Sequence, residues 1–235
     1  MDIQQKLTGF AMMGATWIMW LLVALSVGGV AVALERAIYL IVTRENVRKL
    51  KQQILALLRA GDFDGVRARL AKSRSHVAGI ISAALNGHGD GTASAEERMN
   101  GATQLAKLRM EKRLAFLGTL GSNAPFIGLL GTVIGIIRAF HELNSAAGKV
   151  TSGLMAEVGE ALVATAIGIL VALPAIAFYN AFQRIIKARL ARAQAFGHEV
   201  LAFLKAETAP GTPAPIPLPQ VRAHNGVAGN RQVGA

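Results

Sequence analysis

Apolar and polar positions divide the chain into three long uncharged runs. A basic segment with helical patterning separates the first two, and a polar tail follows the third. The runs are Leu7 to Leu34, Leu114 to Ile137 and Ala161 to Gln183. Each exceeds about 20 residues, enough at ~1.5 Å per residue to cross ~30 Å of hydrocarbon. The first run is far longer than the apolar core of a signal peptide, and Lys6 is the only lysine before it. It therefore reads as a retained membrane helix, with Trp17 and Trp20 near one interface and Tyr39 near the other.

The segment between the first two runs, 41–113, has its own helical periodicity. Val47, Leu50, Ile54, Leu57 and Leu58 fall on one helical stripe, which Gly61 terminates. Asp62 is a natural N-cap for a second helix through Leu70, and a third is expected over Val77 to Leu85. The glycine-rich stretch 86–92 predicts a flexible break. Ser94 and Glu97 have the spacing of a capping box. With no Gly or Pro over 102–116, the helix that follows is expected to continue unbroken into the second span. Residues 184–207 are expected to extend the third span as a helix, and 208–235, with five of the seven prolines, to be disordered.

Composition agrees with this division. Hydrophobic residues make up 52% of the chain and charged residues 17%. A net charge of +11 raises the question of nucleic-acid binding, but the basic residues sit beside the apolar runs. Arg44, Arg48, Lys49 and Lys51 follow the first. Lys107, Arg109, Lys112 and Arg113 precede the second, and Arg184, Lys187, Arg189 and Arg192 follow the third. Only Arg138 and Lys149 lie between the second and third. The positive-inside rule then places 41–113 and the C-terminus in the cytoplasm, and the N-terminus and the 141–156 loop outside. The charge reads as a topology signal, with no nucleic-acid partner. The absence of cysteine excludes thiol chemistry and Cys-ligated metals. The five histidines have no ligand spacing, so neither a metal site nor a soluble active site is expected.

Candidate chemistry lies within the spans. Glu160 falls about one turn inside the outer end of the third, where an ionised carboxylate is costly unless it meets water, protein or a cation. It is either a snorkelling acid, a role Glu157 fits better, or part of a polar path. Thr165 lies deeper, beside the small residues Ala161, Ala164 and Gly168. The second span carries Gly128, Gly131, Thr132 and Gly135, a small-residue face suited to close helix packing. In an antiparallel pair Thr132 and Thr165 reach similar depth. Each hydroxyl either bonds the carbonyl one turn back or lines a polar path. Pro125 and Pro174 interrupt the two helices, where neighbouring segments can satisfy the freed carbonyls.

The stretches 124–135, 160–168 and 173–180 together resemble the MotA/TolQ/ExbB proton-channel family, and the three-span layout resembles its ExbB/TolQ branch. The resemblance implies an all-α polytopic membrane protein whose second and third helices extend into a cytoplasmic helical domain. It further implies a homopentamer in the bacterial inner membrane, surrounded by lipid and driven by the proton gradient without a cofactor. Its pore would hold a dimer of an ExbD/TolR-like single-span partner, with TonB/TolA-like proteins beyond. Thr132, Glu160 and Thr165 would then be the polar pore residues. A non-conducting scaffold that docks partners through its cytoplasmic helices is the second reading.

Overall fold

A computed structural model describes residues 14–208, and the expectation of a disordered tail lies, from residue 209 on, outside them. The described residues form α-helices without strands: α1 (Thr16–Val42), α2 (Val47–Arg59), α3 (Phe63–Ala71), α4 (His76–Gly87), α5 (Thr92–Glu111), α6 (Leu114–Ser145) and α7 (Ser152–Thr208). Helices α1, α6 and the first half of α7 are long and apolar enough to cross a membrane. They carry large apolar side chains on their outer surface, among them Trp20, Val27, Ile38, Phe126 and Leu170. So much exposed apolar area is unfavourable in water and suits a hydrocarbon environment. The protein is an all-α polytopic membrane protein.

The short helices begin and end for local reasons. Asn46 Oδ1 accepts from the Lys49 amide at 3.3 Å, Asp62 Oδ1 from Gly65 at 2.7 Å, and Ser75 Oγ from Ala78 at 3.2 Å. Each cap satisfies an amide that the helix itself leaves unpaired. Helix α2 stops at Gly61, whose φ of +70° lets Gly61 and Asp62 donate back to Leu58 and Leu57. Leu50, Ile54 and Leu58 of α2 are buried. They join one apolar core with Ile80 and Ile81 of α4, Met99 and Met110 of α5, and Phe196, Val200 and Leu204 of α7. Glu45, in the linker after α1, accepts from Arg69 at 3.0 Å, from Ser75 at 2.6 Å and from Ser73. That cluster ties the end of α1 to the α3–α4 connection.

Three local expectations are corrected. Helix α5 starts at Thr92 behind Gly91, whose φ of 99° is open to glycine, so Ser94 lies inside the first turn. The Ser94 hydroxyl accepts from Arg98 Nε at 3.4 Å and caps nothing. The 86–92 stretch forms no open break: α4 runs to Gly87, a 3₁₀ turn covers His88–Asp90, and Arg98 pairs with Asp90 at 2.5 Å. The second span is not one rod with α5 either. Lys112 and Arg113 form a turn, Arg113 has a φ of 64°, and the helix restarts at Leu114. Helix α7, by contrast, is continuous over 57 residues through Pro174.

Candidate functional site

Small residues bring α6 and α7 together. A Cβ added at Gly128 would lie 2.9 Å from the Ala164 carbonyl oxygen and 3.0 Å from Thr165 Cα. One at Gly168 would lie 2.7 Å from the Ala124 carbonyl and 3.0 Å from Gly128 Cα. Gly131 faces the Ala164 methyl, and Gly135 faces Ala161. The two backbones thus touch without intervening side chains, as in close-packed membrane helices. Ile18 and Leu22 of α1 are buried beside this seam with Leu120, Ala124 and Val171.

The polar side chains sit along and above the seam. Thr165 Oγ1 donates across it to the Gly128 carbonyl at 3.1 Å. Thr132 Oγ1 instead donates to Leu129 of its own helix at 2.6 Å, the intrahelical alternative for a membrane hydroxyl. Since Gly128 faces Thr165 and Gly135 faces Ala161, the two threonines are offset by roughly one turn, ~5 Å. Glu160 is half-buried about 12 Å into α7, counting ~1.5 Å per residue from Ser152. Its Oε1 accepts from Thr16 Oγ1 of α1 at 2.6 Å. No hydrogen bond joins Thr132, Glu160 and Thr165 directly among the described residues.

Two features escaped sequence reasoning. Thr16 is the first residue of α1, and its hydroxyl holds Glu160, 144 residues away, so α1 reaches the candidate site. Arg138, an isolated charge in the apolar pattern, pairs through Nη2 with Glu157 Oε1 at 2.8 Å, joining α6 to α7. The second Glu157 oxygen is buried without a hydrogen-bond partner among the described residues. The Arg138 guanidinium also packs on Gly14, whose φ is +84° and whose added Cβ would collide with it. The usable signal was two opposite charges flanking one short loop, near the same ends of antiparallel helices.

Replacing Arg138 with methionine is expected to destabilise the detergent-solubilised protein by about 1–3 kcal/mol, because Glu157 loses its cation in a partly dry site. The side chains keep 29% and 19% exposure, so the loss stays below that of a fully buried pair. Adding Glu157→Gln should recover most of it. Thermal melting of the single and double variants checks this, and equal melting of wild type and Arg138→Met would refute it.

No group of three His, Cys, Asp or Glu residues able to hold a metal ion occurs among the described residues. The family described as the MotA/TolQ/ExbB proton channel family matches residues 70–195, more than half of the chain. An ExbB-like biopolymer transport protein of Helicobacter pylori is 46% identical over 94 residues, 40% of this chain and 63% of that protein. Biopolymer transport protein ExbB of Xanthomonas campestris is 36% identical over 95 residues, 40% of this chain and 38% of its own length. Tol-Pal system protein TolQ of Pseudomonas aeruginosa is 38% identical over 96 residues, 41% and 42% of the two chains. These matches span from under half to under two thirds of the relatives' lengths. With the seam of small residues, the three spans and the polar positions in place, the chain belongs to the MotA/TolQ/ExbB proton channel family, in its ExbB/TolQ-like branch.

Proposed function

We propose that this chain is the channel-forming subunit of an inner-membrane motor driven by the proton-motive force. The observation that carries the reading is the contrast between two carboxylates one turn apart. Glu157 is neutralised by Arg138. Glu160 has only the neutral Thr16 hydroxyl as a hydrogen-bond donor and enters no ion pair among the described residues. A proton can therefore join or leave Glu160 without breaking a salt bridge, and Thr165 and Thr132 continue the polar line inward along the α6–α7 seam. Each proton crossing ~100 mV releases roughly 2.3 kcal/mol.

In this reading copies of the chain, five by resemblance to the family, surround the membrane helices of an ExbD/TolR-like dimer. The basic ends of the spans face the cytoplasm. Work passes to a TonB- or TolA-like protein and powers a periplasmic or outer-membrane process such as TonB-dependent transport.

The scaffold reading draws on one observation: Leu105 and Leu108 of α5 are 56% and 66% exposed, as a docking stripe would be. Thr165→Val separates the two readings. Valine keeps the shape and removes the hydrogen bond to Gly128, so the energised process should fall about tenfold or more with assembly intact. Paired replacement of Leu105 and Leu108 by serine should cost less. The reverse order of effects would favour the scaffold.

A further inference from the structure

Where the apolar surface of the spans gives way to the basic end, a cavity of ≈ 90 Å³ opens between the linker after α1 and helices α2, α4, α5 and α7. Arg44 enters its wall from the linker after α1, Arg189 and Arg192 from α7, and Ser75 and His76 from the start of α4. The first-turn amides of a 12-residue helix add the positive end of its dipole to these guanidinium groups. We propose that this cavity binds a phosphate group, and that the phosphodiester of an anionic phospholipid is what fills it.

Charge balance supports an anion here. The one acid in the wall, Glu45, is already taken by Arg69, Ser73 and Ser75. Arg44, Arg189 and Arg192 enter no ion pair among the described residues. Arg189 is held by neutral acceptors, the Leu40 carbonyl at 2.7 Å and Thr43 Oγ1 at 3.5 Å. These occupy part of its five-donor fork and fix its position. Burial, with the charges of Arg109 and Arg189, lowers the His76 pKa. His76 is therefore neutral near pH 7, and its ring hydrogen-bonds Tyr39 Oη at 3.0 Å. Three arginines then line one cavity whose single carboxylate is already partnered, and a phosphate there can accept charge-assisted hydrogen bonds.

Depth identifies the source. Ile38, Ile41 and Val42 expose 61%, 69% and 62% of their surface immediately before Thr43. On α7 the exposed Phe178 and Ile185 precede Arg189 in the same way. Thr43 lies about 14 Å along α1 from Leu34, past the hydrocarbon and at the cytoplasmic edge of the phospholipid headgroup layer, where basic pockets between spans suit anionic headgroups. Its volume admits a single tetrahedral oxyanion and no acyl chain, so the rest of the lipid would lie along the apolar face of α1.

The test uses the full chain, delipidated in detergent, and native mass spectrometry. It counts bound phosphatidylglycerol against phosphatidylcholine, with inorganic phosphate as a separate arm. Arg44→Gln/Arg192→Gln removes two cations whose side chains make no hydrogen bond or ion pair among the described residues, so the fold should survive, as circular dichroism would verify. Phosphatidylglycerol retention should fall about 10- to 30-fold, while Arg48→Gln, an exposed α2 charge outside the cavity, leaves it unchanged. Loss of inorganic phosphate binding alone would keep the phosphate site but overturn the lipid assignment. Equal retention by the double variant and wild type, or an equal loss in Arg48→Gln, would overturn the site itself. Neither result depends on whether the chain conducts protons.

Discussion

Replacing Glu160 with glutamine is expected to lower the energised process by about 10²–10⁴-fold, the range for a positioned proton-transfer group, while the complex assembles normally. The contrast with its neighbours makes the expectation sharp. Glutamine keeps the size of the side chain and an oxygen that accepts from Thr16 Oγ1, so the 2.6 Å tie to α1 survives; only proton exchange is lost. Thr16→Val does the opposite, leaving the acid and removing the tie. If Glu160 serves only to anchor α1, Gln is silent and Thr16→Val is damaging. If it carries protons, Gln is the severe change and Thr16→Val the milder one. Proton uptake by spheroplasts and growth dependent on the energised process measure the first property, and native gels of the assembled complex the second. Normal activity of Glu160→Gln would sink the pathway.

The second large effect concerns Gly168. An added Cβ would meet the Ala124 carbonyl oxygen at 2.7 Å and Gly128 Cα at 3.0 Å, and backbone atoms cannot rotate away as a flexible side chain can. Gly168→Ala should cost about 1–3 kcal/mol through overpacking. Gly168→Leu should part α6 from α7 and prevent accumulation of folded protein. Gly159, on the same helix, has nothing within 4 Å of its added Cβ. Gly159→Ala should therefore be neutral, or stabilise by up to about 1 kcal/mol from helix propensity. Melting temperatures and membrane yields of the three variants test the seam, and indifference of Gly168 to leucine would show that the helices are not held at backbone contact.

The parts of this fold that follow from neighbouring residues were legible in the sequence. Asp62 caps the helix that follows it, Gly61 stops α2, and three uncharged runs mark the spans; the caps at Asn46 and Ser75 emerged only with the structure. Ser94 and Glu97 have the letters of a capping box. Gly91, by adopting a backbone angle closed to other residues, moved the helix start upstream of them. The turn at Lys112 and Arg113 carries no Gly or Pro signal, so packing of α5 and α6 against α7 must compensate the left-handed Arg113. In the candidate site, the glycine face and the threonines could be read from spacing. The Thr16–Glu160 and Arg138–Glu157 partnerships depend on how spans remote in sequence are placed side by side, which local patterning does not encode.

The two long elements differ in continuity, and that difference has a mechanical meaning. Helix α7 runs as one helix from Glu160 to Leu204, lacking only the bond that Pro174, without an N–H, cannot donate, a distance of about 65 Å. The α5–α6 path is broken into two helices at Lys112–Arg113. A displacement at the carboxylate end of α7 therefore has one continuous helix to follow, while the α5–α6 path has to cross a turn. Under the proposed function, a torque at Glu160 would reach the far bundle through α7, where Met99 and Met110 of α5 share a core with Phe196, Val200 and Leu204.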